Sequence, residues 1–430
     1  MNVLLVSTSE RSGGGAIAAR RLMDALNKNG VRAKMLVRDK QSNDNAVVKV
    51  GNKLPKFMER LAILPRCCPP FHLFTLSPFH LLRSRIWQAD IANVGIDITK
   101  TKEFKEADVV HLHWINQGML SLDGLEKIMS SGKRIVWTMH DEWPFLGVCH
   151  YRDDCTEQEC RHCPLLCGSL PYYIHARKRA IYQRWHPTFV GCSQWITDQA
   201  RRAMPSERVE HINNCIPSSL FHPTDMRQAR QALSLPQDKR LLLFCSQKVT
   251  DERKGIKYIV EALKDLSKSP LKGETSCVTS SLPLREGWGG SLIIVGKDSE
   301  QIPLPDSIKA YRFGSVNEEM MAKLYNAADA FLTPSLQDNL PNTIAEAMSC
   351  GTPCVGFDVG GIPEMIDHLE NGYVARYRDA ADLAEGISYV LSHDLREAAR
   401  GKAAAAYSET QVAKEYIKLY TQSEYSDYSE

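Results

Sequence analysis

Asn2 to Ser7 is a short apolar run that breaks at the turn-rich segment Thr8-Ser9-Glu10-Arg11-Ser12-Gly13-Gly14-Gly15, and a helical pattern follows from Ala16 to Leu26. Strand, glycine turn and helix in that order need a crossover to a parallel neighbour, because a parallel strand cannot be reached by a tight hairpin. The alternation recurs. Ala33–Val37, Val47–Val50, Asp108–His111 and Arg134–Met139 read as strands, and Leu120–Ser131 suits a helix. A second series begins after Ile212-Asn213-Asn214-Cys215-Ile216-Pro217, whose asparagines and proline punctuate the pattern. There Leu241–Cys245, Ser291–Val295, Ala330–Thr333 and Pro353–Phe357 are strand-like, while Gly255–Leu266, Asn317–Ala328 and Asn342–Ser349 are helical. The expected fold class is α/β, with two Rossmann-like parallel-sheet domains over residues 1–216 and 217–405 joined near residues 216–224. The remaining segment, 406–430, carries an amphipathic stretch from Gln411 to Tyr420 that is expected to pack back on the first domain.

Charge adds a local constraint. The whole chain has 53 Lys and Arg against 51 Asp and Glu, a net +2, which argues against nucleic acid as the main partner. No apolar run reaches the roughly 18 to 20 residues of a membrane span, and the start of the sequence lacks a signal-peptide pattern, so a cytoplasmic protein is expected. Between Arg20 and Ala89, however, fourteen basic residues face four acidic ones. The later part of this segment interleaves Phe57, Phe71, Phe74, Phe79 and Trp87 with prolines and arginines. Residues 53–87 therefore suit peripheral contact with an anionic membrane surface, the other reading being a solvated basic face over an ordinary core. Lys268 to Gly290, rich in Ser, Thr and Gly, reads as a flexible insertion.

Several positions carry the means for chemistry. Gly13-Gly14-Gly15 lies where the first strand feeds a helix, so its amides can approach an anion or a sugar. It matches neither the dinucleotide pattern G-x-G-x-x-G nor a P-loop. His111-Leu112-His113-Trp114 and Thr138-Met139-His140-Asp141 each follow an apolar strand, which puts them at the carboxyl edge where open α/β sheets bind ligands. In the second series, Lys248 and Lys254 flank a loop that opens a helix, a place for a diphosphate. Further on, a loop carrying Asp338 leads to a helix starting near Asn342, with Glu346 one turn inside. The amides of Leu340, Asn342 and Thr343 can face an anion, and the two carboxylates can grip hydroxyls on either side.

These motifs resemble the retaining GT-B glycosyltransferases of family 4, particularly the bacterial members that build capsule, exopolysaccharide and lipopolysaccharide chains. The resemblance runs from Asn2 to about Tyr420 and is most specific over Phe331–Gly361. It implies two domains facing a cleft with residues 212–224 as hinge, and a C-terminal helix returning to the first domain. It also implies that Glu346 holds the nucleotide ribose, Asp338 contacts donor-sugar hydroxyls, and Lys248 and Lys254 neutralise the leaving diphosphate. The family's active-site histidine falls on His140, and its glycine-rich loop places Gly14 and Gly15 at the substrate. Asp338 stands where the family usually has glutamate, and Lys248 where it usually has arginine. The implied reaction moves a sugar from a nucleoside-diphosphate sugar to a hydroxyl of a growing cell-surface glycan or lipid-linked acceptor. It retains anomeric configuration and needs no metal or other cofactor. A GT-B-fold UDP-N-acetylhexosamine 2-epimerase and a non-catalytic polysaccharide-assembly scaffold are the competing readings.

The thirteen cysteines are too many and too unevenly placed to read as one framework. Five crowd between Cys149 and Cys167, forming a Cys-rich insertion over 149–167. Cys149, Cys155, Cys160 and Cys163 have spacings that allow a structural zinc site; reduced thiols in a packed loop, or a redox role, are the alternatives.

Overall fold

The computed structural model describes residues 1–67, 89–152, 155, 159–163, 165–166, 168–268 and 289–422. Phe71, Phe74, Phe79, Trp87, Cys167 and most of the expected 268–290 insertion lie outside the described residues. The chain forms two compact units, Met1–Cys215 together with Glu409–Glu430, and Ile216–Ser408.

The first unit is built on a seven-stranded parallel sheet. Its strands are β1 (Asn2–Ser9), β2 (Arg32–Asp39), β3 (Val47–Lys49), β4 (Val109–Leu112), β5 (Arg134–Met139), β6 (Thr188–Gly191) and β7 (Val209–His211), in the order β3-β2-β1-β4-β5-β6-β7. A parallel strand is covered on both faces, which is why β1 is apolar at successive positions. Leu4 and Val6 join the core on one face, with Leu36, Leu112 and Trp137. Val3 and Leu5 join the other, with the helix Gly14–Lys28 and with Val412, Ala413, Tyr416, Leu419 and Tyr420 of the helix Glu409–Thr421. The amphipathic C-terminal stretch thus completes the first unit.

The second unit carries a six-stranded parallel sheet of β8 (Leu241–Lys248), β9 (Ser291–Lys297), β10 (Lys309–Phe313), β11 (Ala330–Thr333), β12 (Cys354–Phe357) and β13 (Gly372–Ala375), in the order β10-β9-β8-β11-β12-β13. In each sheet the strand order reverses direction at one point, between β1 and β4 in the first and between β8 and β11 in the second. Crossovers leave in opposite directions there and open a crevice beyond the carboxyl ends of the two strands. The histidine-bearing segments follow β4 and β5, while the Lys248–Lys254 and Asp338 loops follow β8 and β11.

One buried carboxyl pair fastens the helix Leu54–Cys67 to the first unit. Glu59 is fully buried, and its Oε1 accepts the amides of Ile91 at 3.1 Å and Ala92 at 2.8 Å. Burial, reinforced by the neighbouring Asp90 carboxylate, pushes Glu59 up to about 9. A carboxyl whose folded-state value is raised is favoured in its protonated form by folding. Its contribution is therefore whole below its ordinary range and declines as pH rises toward 9. Thermal melts of the wild type should show a midpoint that falls between pH 5 and 9, and Glu59→Gln, which mimics the protonated form, should flatten that decline.

Candidate active site

At the carboxyl edge of the first sheet, β4 and β5 deliver a chain of rings. His111 is fully buried, its Nδ1 2.7 Å from the Tyr420 hydroxyl and its Nε2 2.8 Å from Thr138 Oγ1. Thr138 Oγ1 is in turn 2.8 Å from the Tyr416 hydroxyl, so the C-terminal helix supplies two of the contacts under the site. The His113 ring lies 4.2 Å from that of His111, and its Nδ1 is 3.0 Å from His140 Nε2. Burial keeps all three imidazoles neutral, with His140 pushed down to about 4. Asp141 behaves oppositely: although buried, it is held below the usual carboxylate range by His150 and by hydrogen bonds from the Trp143 amide and Trp114 Nε1.

The glycine turn meets this cluster. Gly13 caps the helix Gly14–Lys28 with a positive φ of 98°, and a Cβ at Gly15 would lie 2.9 Å from the His140 ring. Any side chain at Gly15 would push His140 out of place. The sequence-designated Gly14, Gly15 and His140 are therefore gathered at one end of the first sheet.

In the second unit, the loop after β11 is clamped from both sides. The Leu336 amide donates to Arg253 O at 2.6 Å and the Gly361 amide to Asn339 O at 2.8 Å. Gly255 and Gly360 have positive φ, and a Cβ at either would fall within 2 Å of the Pro334 or Asp338 carbonyl oxygen, respectively. The backbone can approach so closely only with glycine there. The clamp brings Asp338 onto Lys254, whose Nζ donates to Asp338 Oδ2 at 2.6 Å across 84 residues of sequence. The helix Asn342–Ser349 then starts without a side-chain cap, so its first turn offers backbone amides to an anion. Leu340 is buried at its approach, while Asn342 and Thr343 are half-buried.

Glu346 and Lys248 differ from a pattern of open, ligand-facing side chains. Glu346 is only 6% exposed, and Tyr325 donates its hydroxyl to Oε2 at 2.8 Å. Tyr325, on the helix Glu318–Ala327, carries no signal of this role in the sequence; nothing in a regular amphipathic helix marks a tyrosine as a carboxylate partner. Lys248 is 61% exposed and leans toward Asp298 at 3.8 Å rather than toward Lys254's partner.

The cysteine segment also departs from expectation. Among the described residues no three His, Cys, Asp or Glu side chains are grouped so as to hold a metal ion. Cys149 nevertheless lies close enough to Cys163, Cys160 and Cys155 for all three to raise its thiol. Cys149 donates to the Cys163 sulfur, and the Gly147 amide donates to Cys160 Sγ at 3.2 Å. The Cys149 hydrogen bond and the amides of Leu165 and Leu166 bring Cys163 down to about 6, while Cys149 is pushed up. Cys163 should therefore be alkylated by iodoacetamide at pH 7 well before the other described cysteines, as peptide mass spectrometry can score.

Residues 239–393, which cover most of the second unit and both clamped loops, match the family described as Glycosyl transferases group 1. The match is confined to that segment. Across more of its length it is 24% identical to an uncharacterized glycosyltransferase of Methanocaldococcus jannaschii, over 77% of this chain and 89% of that one. It is 23% identical to the putative colanic acid biosynthesis glycosyl transferase WcaC of Escherichia coli, over 73% of this chain and 76% of that one. The fold is that of GT-B glycosyltransferases: the structure of Anabaena HepE in complex with UDP and glucose covers 97% of this chain and 99% of its own, at a TM-score of 0.62 and 14% identity. Lys254, Asp338 and Glu346 all lie within the matched segment.

Proposed function

We propose that this glycosyltransferase uses a nucleoside-diphosphate sugar, with a UDP-sugar the first donor to test, and transfers the sugar with retention to a hydroxyl of a cell-surface glycan or lipid-linked acceptor. The observation that carries the reading is the Lys254–Asp338 pair, 2.6 Å apart at the sheet's reversal point and beside an uncapped helix start. UDP bound in the HepE structure and the colanic acid biosynthesis in the WcaC name support the donor and acceptor classes.

In this reading the diphosphate takes the cationic side, Lys254 with Lys248, and the amides of Leu340, Asn342 and Thr343. Glu346, steadied by Tyr325, holds the ribose, and Asp338 faces the donor-sugar hydroxyls. The bond from the anomeric carbon to the phosphate oxygen breaks while the acceptor oxygen bonds to that carbon on the same face, and the acceptor proton passes to the departing diphosphate. Negative charge grows on the leaving oxygen, so a fixed cation and helix amides stabilise the transition state more than the ground state. These groups serve the leaving phosphate without calling on a resident metal. In the first unit His140 is the catalytic imidazole, and Gly14 and Gly15 border it. Enzymatic hydrolysis of a UDP-sugar, followed by proton NMR before the released sugar mutarotates, tests the scheme. The donor's own anomer should appear first; the opposite anomer would overturn retention, and an epimerised donor with no free sugar would replace transfer by epimerisation.

The acceptor side reads as membrane-facing. Leu54, Phe57, Met58 and Leu61, spaced along one face of the helix Leu54–Cys67, are 48% to 62% exposed, with Lys53, Lys56 and Arg60 interleaved. That pattern suits an anionic lipid surface. No helix among the described residues is long and apolar enough to cross a membrane. Phe57→Asp combined with Leu61→Asp should cut co-sedimentation with phosphatidylglycerol vesicles by about tenfold or more, since both substitutions put charge on the inserting face.

A further inference from the structure

His113 has no role of its own in the proposed chemistry, yet it is hydrogen-bonded to the one imidazole that the chemistry uses. It is 3% exposed at the end of β4, with Nδ1 3.0 Å from His140 Nε2, and its own Nε2 is buried with no hydrogen-bond partner. The two rings stack at 5.3 Å with 19° between planes. From behind, His113 rests 4.2 Å from the His111 ring, which Tyr420 and Thr138 pin at both nitrogens, and its carbonyl accepts Trp137 Nε1–H at 3.0 Å. The ring therefore has a single orientation to offer.

A hydrogen bond between two neutral imidazoles can run either way, and the orphaned nitrogen decides which. If His140 donated, His113 would carry its proton on Nε2 and bury an N–H group with no acceptor. If His113 donates from Nδ1, the orphan is a bare lone pair. Buried N–H groups without partners are the rarer and costlier of the two in folded proteins. Donation by His113 fills the lone pair on His140 Nε2, so a neutral His140 must carry its proton on Nδ1. Gly15 covers the Cγ and Cδ2 edge of the same ring, where its Cβ would sit 2.9 Å from both atoms. Nδ1 adjoins Cγ and is the ring nitrogen that His113 does not occupy.

We infer that His113 is a positioning residue that fixes His140 as its Nδ1–H tautomer, so that His140 meets the reacting groups as a hydrogen-bond donor and not as a base. The inference rests on the assignment of His140 as the catalytic imidazole and goes beyond it by stating which atom acts and with which proton. A donor at that place complements developing negative charge or a substrate oxygen, and it leaves the acceptor's proton to the departing diphosphate.

The test reads the tautomer directly. The full-length protein labelled with nitrogen-15 in its histidines, with His140 assigned by loss of its signals in His140→Asn, should show a protonated Nδ1 and an unprotonated Nε2 at neutral pH. His113→Asn keeps an N–H the same number of bonds from the backbone and should preserve that pattern and UDP release from a UDP-sugar within about threefold. His113→Leu should erase the preference and lower kcat by about tenfold or more, the scale of one positioned proton donor, with KM little changed. A protonated Nε2 in the wild type, or equal loss of activity in His113→Asn and His113→Leu with the tautomer unmoved, would overturn the inference. Should no UDP-sugar be turned over, the functional reading fails, while the spectra still decide the tautomer.

Discussion

Glu346→Ala should abolish nucleotide-sugar binding and transfer together, with affinity falling at least 100-fold. Its carboxylate is buried and oriented by Tyr325 at 2.8 Å, so the hydrogen bonds it gives a ribose diol are charge-assisted and already preorganised. Each such bond is worth about 1.5 to 3 kcal/mol, and two of them exceed the 2.7 kcal/mol that a 100-fold change represents. Alanine also strands the Tyr325 hydroxyl inside the unit. Glu346→Gln separates the two effects, because the amide oxygen can still accept from Tyr325 while the charge is gone. Calorimetric titration should show weakened donor binding in both variants, with thermal stability lowered chiefly in the alanine one.

Lys254→Met should leave donor binding measurable but lower kcat by about 10² to 10³, the usual effect of removing one preorganised group from the charge that develops in a transition state. The side chain is 32% exposed and bonded to Asp338, so its loss also leaves that carboxylate unpaired. Pairing Lys254→Met with Asp338→Asn removes the stranded charge. Folding stability should recover in the double variant while turnover stays low. A lysine serving only as Asp338's partner would instead leave the double variant as active as Asp338→Asn alone. Lys248, 61% exposed and beside Asp298, should contribute less, so Lys248→Met is expected to fall between the wild type and Lys254→Met.

Much of the fold could be read because a parallel sheet buried on both faces writes itself as dense apolar runs. Arg134–Met139 and Ala330–Thr333, expected as strands, are β5 and β11 residue for residue, and Asn342–Ser349 is a helix with the expected ends. Four strands carry weaker signals, among them the three-residue edge strand Val209–His211. Lys309–Phe313 is an edge strand with no buried residue, and Gly372–Ala375 is an edge strand of four residues. Thr188–Gly191 is buried but too short to show a period, following directly on a helix and a proline. Edges need less apolar surface, so they leave less pattern behind.

The candidate site divides along a similar line. Asp338, Glu346 and the glycine turn could be found because local spacing after a strand marks them. The contacts that give them their properties could not be found that way. Lys254 reaches Asp338 across 84 residues, Tyr325 reaches Glu346 from a separate helix, and Tyr420 reaches His111 across 309. Spacing placed Cys149, Cys155, Cys160 and Cys163 together, but their individual contacts, such as the Gly147 amide on Cys160 Sγ, are not written in it.

A thermal-shift panel of UDP-, GDP- and ADP-sugars on the wild type and on Glu346→Ala tests the central claim most directly. Sugars of one nucleotide should stabilise the wild type, by about 2.7 kcal/mol at 100 times the dissociation constant, and leave the variant unmoved. No shift with any nucleotide sugar, or the same shift in both proteins, would contradict the assignment of the second unit as the donor site.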